Sequence, residues 1–297
     1  MNCYNGEKYL REALNSVLEQ THKNWELIFW DNQSVDGSAN ILKEYRDDRI
    51  RYFLAERHKN LGESRKNAMS YAKGTYISFL DCDDIYNNTM LEKQIESMEN
   101  HDYAMCYAGV IGIDQNGDRL YRHGIKPRQK SGYLFSALLK RYEVNMQTVM
   151  LRTSILNERS YQFDTNLVYC PDYLLFMTIA SKHEVGVHSQ SLAKRRVHPE
   201  SLSNQTRHLV AKEGRYTLNQ LKDNNPALYK NNEKLFKYAN ANLIYYDVIS
   251  ALIENNWIIL RELLRNSMYS NTKLVLLKFM LFIKLPRKVI LYAVNRN

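Results

Sequence analysis

A chain of 297 residues with 44% apolar and 25% charged residues has material for a large core or two smaller ones, which excludes a disordered protein. Its four cysteines, Cys3, Cys82, Cys106 and Cys170, form no Cys-x-x-Cys pair; a disulfide framework or zinc site is therefore not expected, and a reducing, cytoplasmic compartment is. The net charge of +9 lies in the last third, where residues 205–297 hold 15 Lys+Arg against 6 Asp+Glu while the first 204 balance at 26 and 26, a pattern that points to an anionic surface, membrane or nucleic acid.

Met1 to Tyr4 reads as the tail of a strand, with no signal-peptide pattern. Asn5-Gly6 is a turn. Glu7 to Gln20 has helical spacing, with Tyr9, Leu10, Ala13, Leu14, Val17 and Leu18 on one side. Trp25-Glu-Leu-Ile-Phe-Trp30 is a second strand. The polar loop Asp31-Asn-Gln-Ser-Val-Asp-Gly-Ser38 follows, and Asp36 suits a helix cap before Ala39 to Tyr45. Ile50 to Leu54 is a short strand, and Asn60-Leu-Gly62 turns into a helix over Glu63 to Ala72.

Thr75 to Leu80 reads as a buried strand that ends in three carboxylates, Asp81, Asp83 and Asp84. Clustered carboxylates repel one another unless a cation lies between them. All-oxygen ligands suit Mg²⁺ or Mn²⁺, ions that usually bridge to a substrate's phosphates. Alone, Asp-x-Asp is a solvated acidic turn; its place at a strand's carboxyl end, where open α/β sheets bind ligands, argues for a site.

Tyr103 to Ile113 is a strong strand, with a hairpin turn at Asp114-Gln-Asn-Gly-Asp118 leading to Arg119-Leu-Tyr. Ser131 to Arg141 reads as helix, Met146 to Leu151 as extended, Asp172 to Ser181 as helix and Glu184 to Leu192 as a last strand. From about Asn204 the pattern is nearly all helix. The recurring β-loop-α order predicts a mostly parallel sheet flanked by helices, with the loops after Tyr4, Trp30 and Leu80 along one edge.

Four segments in register carry a resemblance. Asn2-Cys-Tyr-Asn-Gly-Glu-Lys-Tyr-Leu10 with Ser16-Val-Leu-Glu-Gln-Thr21, the loop 31–38, Asn60 to Asn67 with Ala72 to Asp84, and Arg196-Val-His-Pro-Glu-Ser-Leu-Ser203 resemble the inverting glycosyltransferases of family 2. The resemblance covers residues 1–204. It implies a GT-A fold, a Rossmann-like mostly parallel central sheet flanked by helices, as a catalytic domain over 1–204. Residues 205–297 are then a separate helical, basic region.

The resemblance also implies roles. Tyr4 stacks near the donor's base, Asp31 and Asn32 contact base or ribose, and Asn67 lies on the donor side, although read alone it is a helix-packing amide. Asp81 holds ribose or a metal-bound water, and Asp83 binds the divalent cation (Mg²⁺ or Mn²⁺) that bridges the nucleotide's phosphates. Asp172 is the catalytic base, and His198 closes on the metal or diphosphate. The expected partners are a nucleotide-sugar donor and a glycan or lipid-linked saccharide acceptor, not nucleic acid. There are departures. Asn32 stands where Asp is usual, Lys66 where Arg is usual, and Pro171 replaces Glu. Met1 falls inside the family's first strand, so either the start is placed late or the central sheet tolerates a clipped strand.

The tail from Lys273 to Ala293 interleaves apolar blocks with Lys278, Lys284, Arg287 and Lys288. No apolar run approaches the ~20 residues of a membrane span. A basic amphipathic segment on an anionic membrane fits, as does a helix packed with a basic outer face. The expected location is peripheral, on the inner face of the cytoplasmic membrane. Two rivals are a nucleotidyltransferase and an inactive membrane-associated binding protein. The first needs a Gly-rich basic loop near the N-terminus, which Asn5-Gly6 is not, and intact Asp81, Asp83 and Asp172 argue against the second.

Overall fold

The structure, a computed structural model, describes residues 1–157 and 161–266, together with 277, 280, 281, 286 and 290. The chain packs as two units, Met1–Ser201 and Leu202–Asn297.

In the first unit, β1 (Asn2–Cys3), β2 (Leu27–Asp31) and β3 (Ile50–Leu54) form a parallel sheet in that order. β2 is central and buried at every position, as its apolar run Leu-Ile-Phe-Trp requires. Helices α1 (Glu7–Leu18), α2 (Ser38–Lys43) and α3 (Leu61–Met69) supply the crossovers. Tyr9, Leu10, Ala13, Leu14 and Val17 are the buried stripe of α1, as their spacing predicts.

The acidic strand β4 (Tyr76–Ser78) is shorter than its sequence suggests, and it is half-buried rather than buried. It lies at the end of a second sheet of order β4-β8-β6-β9-β5, with β7 also on β6. The other members are β5 (Ile85–Tyr86), β6 (Met105–Ile113), β7 (Arg119–Ile125), β8 (Met150–Arg152) and β9 (Val185–Arg196). A parallel bridge between Asn2 and Asp81 joins the two sheets. Pairing is parallel within β1–β3 and between β6 and β9, and antiparallel elsewhere. The loops after β1, β2 and β4 share one edge, because Cys3 pairs with Asp31 and Asn2 bridges to Asp81. Helices α4 (Met90–Asn100), α5 (Phe135–Lys140) and α6 (Pro171–Ala180) complete the unit.

Some boundaries move. Helix α5 occupies only part of the stretch 131–141, because Gly132 pairs with Val185 across the sheet edge. Residues 146–148 are a 3₁₀ turn before β8. Strand β9 continues past Leu192 to Arg196 because its far half pairs with β6 and β5. That extension carries the chain to His198.

The second unit consists of α7 (Leu202–Gln205), α8 (Val210–Asn224), α9 (Pro226–Ile253) and α10 (Trp257–Asn266). Asn225 caps α9 by accepting from the Leu228 N–H at 2.9 Å, and Pro226 takes its first position. Val248, Ile249, Leu252 and Leu260 form its core with Leu277 and Ile290. Gly214 of α8 lies against Leu243, where a Cβ would meet the leucine's Cδ2 at 2.7 Å. Among the described residues no helix is long and apolar enough to cross a membrane. Apart from residues 277, 280, 281, 286 and 290, the tail 273–293 lies outside the described residues.

Candidate active site

The shared sheet edge is closed by a zip of polar contacts between the loops after β1 and β2. Asn5 has a left-handed backbone, φ 52°, which Asn tolerates better than most residues. Its Oδ1 accepts from the Val35 N–H at 2.9 Å, and its N–H donates to Ser34 Oγ at 3.0 Å. Asp36 accepts from the N–H groups of both Ser38 and Glu7, each at 3.0 Å, so it ties the start of α2 to that of α1. Gly6 is needed here, since a Cβ would meet Cys82 Sγ at 2.6 Å and Cys3 Sγ at 3.0 Å. The start of α1 thereby sits directly on the acidic loop.

Asp31 is buried, and both of its oxygens are used: Oδ1 accepts from the Ser34 N–H at 2.7 Å and Oδ2 from the Tyr52 hydroxyl at 2.9 Å. Burial and that carboxylate push the Tyr52 phenol up to about 12. The amide of Asn32 clasps Lys59, donating to its carbonyl at 2.8 Å and accepting from its N–H at 3.0 Å. Tyr4 is half exposed, and its ring lies 4.2 Å from that of His58, tilted 53°. The two rings make an aromatic lip at the mouth of the edge. Asn67 is half-buried on α3.

The three carboxylates after β4 have different partners. Both oxygens of Asp81 accept from Arg65 Nη2, at 2.9 and 3.0 Å. Asp83 Oδ2 meets His198 Nε2 at 3.0 Å. Asp84 is buried and accepts from the Arg196 N–H at 2.8 Å; burial, then the charges of Asp83 and Asp81, raise its pKa well above the carboxylate range. The Arg196 guanidinium donates to the carbonyls of Asp83 and Asp114 and to Glu12, at 3.0, 3.2 and 3.0 Å, over the Tyr9 ring. It clamps the acidic loop to α1.

Asp172 opens α6 one residue after Pro171, in the first turn, where the helix dipole favours an anion. Its side chain keeps 17% of its surface and lies 3.8 Å from Arg65 Nη1. Burial raises its pKa, and the nearby Arg65 charge pulls part of that rise back. Arg65 itself is buried, so one guanidinium serves two carboxylates from distant parts of the chain. Gly62 makes this possible. A Cβ there would meet the Asp164 carbonyl at 2.6 Å and Pro171 Cβ at 3.1 Å. The close approach sets α3 against the start of α6, and Arg65, one turn on, reaches Asp172.

Thus Asp81, Asp172 and Arg65 form one group, and Asp83 and His198 a second. Tyr4, Asp31 and Asn32 lie at the same sheet edge, Asp31 as the last residue of β2 and the other two on the loops. Sequence reasoning passed over Arg65, the His58 lip and the Arg196 clamp. A signal for Arg65 existed: it shares the buried face of α3 with Gly62 and Ala68, and a buried cation requires carboxylate partners.

No group of three or more His, Cys, Asp or Glu among the described residues makes a complete metal cage. The pair Asp83 and His198 does fit a cation that shares its coordination with phosphate oxygens, since such ions usually take only one or two protein ligands. Asp83, which meets an imidazole nitrogen that is itself a metal-ligand type, suits direct ligation better than Asp81, both of whose oxygens accept from a guanidinium.

The family model for glycosyl transferase family 2 matches residues 1–159. The chain is 31% identical over 186 residues to the Escherichia coli UDP-Glc:alpha-D-GlcNAc-diphosphoundecaprenol beta-1,3-glucosyltransferase WfgD, covering 63% of this chain and 70% of that one. It is 33% identical over 150 residues to Bacillus subtilis TuaG, named for teichuronic acid biosynthesis, covering 50% of this chain and 58% of that one. The crystal structure of S. aureus TarS 1-349 in complex with UDP-GlcNAc has the same fold, with a TM-score of 0.61 at 17% identity over 91% of each chain. This chain belongs to glycosyl transferase family 2, and its fold is that of the GT-A enzymes.

Proposed function

We infer that the enzyme transfers a hexose from a nucleotide-sugar donor to a glycan or lipid-linked saccharide acceptor, with inversion at the anomeric carbon. The observation that carries this reading is the pairing of Asp83–His198 with Arg65–Asp172 around one sheet edge. Relatives support the substrate classes: WfgD is named for a UDP-Glc donor and a diphosphoundecaprenol-linked acceptor, and TarS was crystallised with UDP-GlcNAc.

In this reading the Tyr4–His58 lip stacks the base, and Asp31, Asn32 and Asn67 border the nucleoside. Asp83 and His198 hold Mg²⁺ or Mn²⁺. When bound, the ion neutralises charge on the departing diphosphate. Asp81, both of whose oxygens accept from Arg65, orients the ribose or a metal-bound water. Asp172 takes the proton of the acceptor hydroxyl as that oxygen bonds to the anomeric carbon. The bond from that carbon to the diphosphate breaks on the opposite face, and the nucleoside diphosphate leaves. The basic tail beyond residue 272 is assigned to an anionic membrane, where a lipid-linked acceptor resides.

The test is nucleotide release from a panel of sugar nucleotides, with and without EDTA, followed by the anomeric configuration of the product. Release from one donor, lost in EDTA, with an inverted product is expected. Retention of configuration, or full activity in EDTA, overturns the mechanism.

A further inference from the structure

A cavity of about 340 Å³ opens between the loop after β7 and residues 141–143, within the ~300–1,000 Å³ usual for small-molecule sites. Lys126, Arg128, Arg141, Tyr142 and Glu143 line it. The three cations are exposed, and none is in an ion pair among the described residues. Glu143 is 2% exposed. Its Oε1 accepts from the N–H groups of Arg128 and Gln129 at 2.9 and 3.1 Å and from the Tyr107 hydroxyl at 3.1 Å, so it fixes the loop that carries the cations. Its Oε2 is buried with no partner. A buried carboxylate oxygen without a donor is costly, and each such atom in a folded protein calls for an explanation.

Tyr142 connects this cavity to the chemistry. Its ring packs edge-on against Tyr173, 4.6 Å between centroids, next to the base in sequence. Its hydroxyl has no partner at hydrogen-bond distance, yet it faces Asp172 closely enough to steady that carboxylate's charge.

We propose that this cavity is the acceptor subsite and that it takes a saccharide carrying a phosphate or diphosphate. The inference rests on the glycosyltransferase reading above. Three exposed cations around one buried carboxylate leave the rim of the cavity net positive, and guanidinium forks match phosphate oxygens. A saccharide hydroxyl would donate to Glu143 Oε2. An acceptor held so is one side chain from Asp172.

The test uses the full chain with the donor side filled by nucleoside diphosphate and the divalent cation. Calorimetry compares short-alkyl diphosphate-linked saccharides with neutral alkyl glycosides of the same sugars. The charged probe should bind at least about tenfold tighter, and Arg128→Gln and Arg141→Gln should each weaken it about tenfold. The neutral probe should respond little to either substitution, Arg141→Lys should restore part of the loss, and salt should narrow the gap. Glu143 is left intact because its Oε1 holds the loop. Equal binding of charged and neutral probes overturns the assignment, and so do variants that weaken both probes alike. Anionic phospholipid vesicles without saccharide form a third arm. If the variants lose the vesicles and keep the charged probe, the cations serve a lipid surface and the assignment fails. Nucleotide release by the parent is followed separately: its absence alongside selective binding of the charged probe counts against the transferase reading and leaves the cavity's ligand standing.

Discussion

Arg65 Nη2 donates to both oxygens of Asp81, at 2.9 and 3.0 Å, while the Nη1 of the same guanidinium lies 3.8 Å from Asp172. The carboxylate assigned to the donor and the one assigned to the acceptor thus share one buried charge. Whatever changes the first pair alters the electrostatics of the second.

Arg65→Gln therefore shifts the pH dependence of turnover. Burial raises the pKa of Asp172 and Arg65 lowers it in part. A base works when deprotonated, so the acid limb of kcat lies above the ordinary carboxylate pKa of about 3.9. Removing the cation raises it further, so the variant's acid limb moves to higher pH. A pH–rate profile whose acid limb stays in place after the substitution refutes this coupling. Melting temperature will also drop, because Asp81 and Asp172, both partly exposed, lose the buried guanidinium they share.

Asp172→Asn keeps the side chain's shape in the first turn of α6 and removes the basic oxygen. Transfer should fall by ~10²–10⁴-fold. Donor affinity should stay near the parent's, because the donor-side groups are Asp81, Asp83 and His198. Transfer to acceptor and donor binding are measured side by side, and parental transfer rates in the variant would place the base elsewhere.

Asp83→Ala should abolish cation-dependent nucleotide binding, since it removes one of the two donors in the pair with His198. The parent's donor affinity should drop to the variant's level on adding EDTA. Equal affinities for parent and variant, with and without EDTA, would show that the pair holds no cation.

Gly62→Ala tests the packing that brings the site together. The new Cβ would lie 2.6 Å from the Asp164 carbonyl, so α3 or the 164–171 loop must shift. Overpacking of this kind costs ~1–3 kcal/mol. Arg65 would also leave its place beside Asp172, so kcat should fall along with thermal stability. A variant with lowered melting temperature and parental kcat would separate the glycine from the catalytic geometry.

Deleting residues 273–297 should release the protein from anionic vesicles and reduce the salt sensitivity of binding. Its cations Lys273, Lys278, Lys284, Arg287, Lys288 and Arg296 are each worth ~1 kcal/mol near such a surface. Unchanged partitioning in flotation assays would favour a tail that simply packs on its own helical unit.

Much of the catalytic unit was legible in the sequence because its signals are short-range. Apolar spacing located α1 and β2, and Asn-Gly and Asn-Leu-Gly punctuation marked the loops. The run from Thr75 to Asp84 announced a strand ending in carboxylates, and four segments in register disclosed the family. Each of these readings needs only neighbours within a few residues. The antiparallel pairings of the second sheet were less legible. A central strand such as β6, covered on both sides, reads as the same apolar run whichever way its neighbours point.

What joins with what was decided only in three dimensions. Arg65 finds Asp172 because Gly62 lets α3 touch the start of α6, and a helix-forming sequence does not say which helix it will meet. His198 reaches Asp83 because β9 runs four residues past its apolar stretch, held there by pairing with β6 and β5. Lys126, Arg128 and Arg141 share a cavity because Glu143 draws two backbone N–H groups over itself. Spacing along the chain sets local conformation through steric and solvation effects that act over a few residues. Charge partners across the sheet depend on packing distances that no local pattern encodes, and in this enzyme those distances assemble the site.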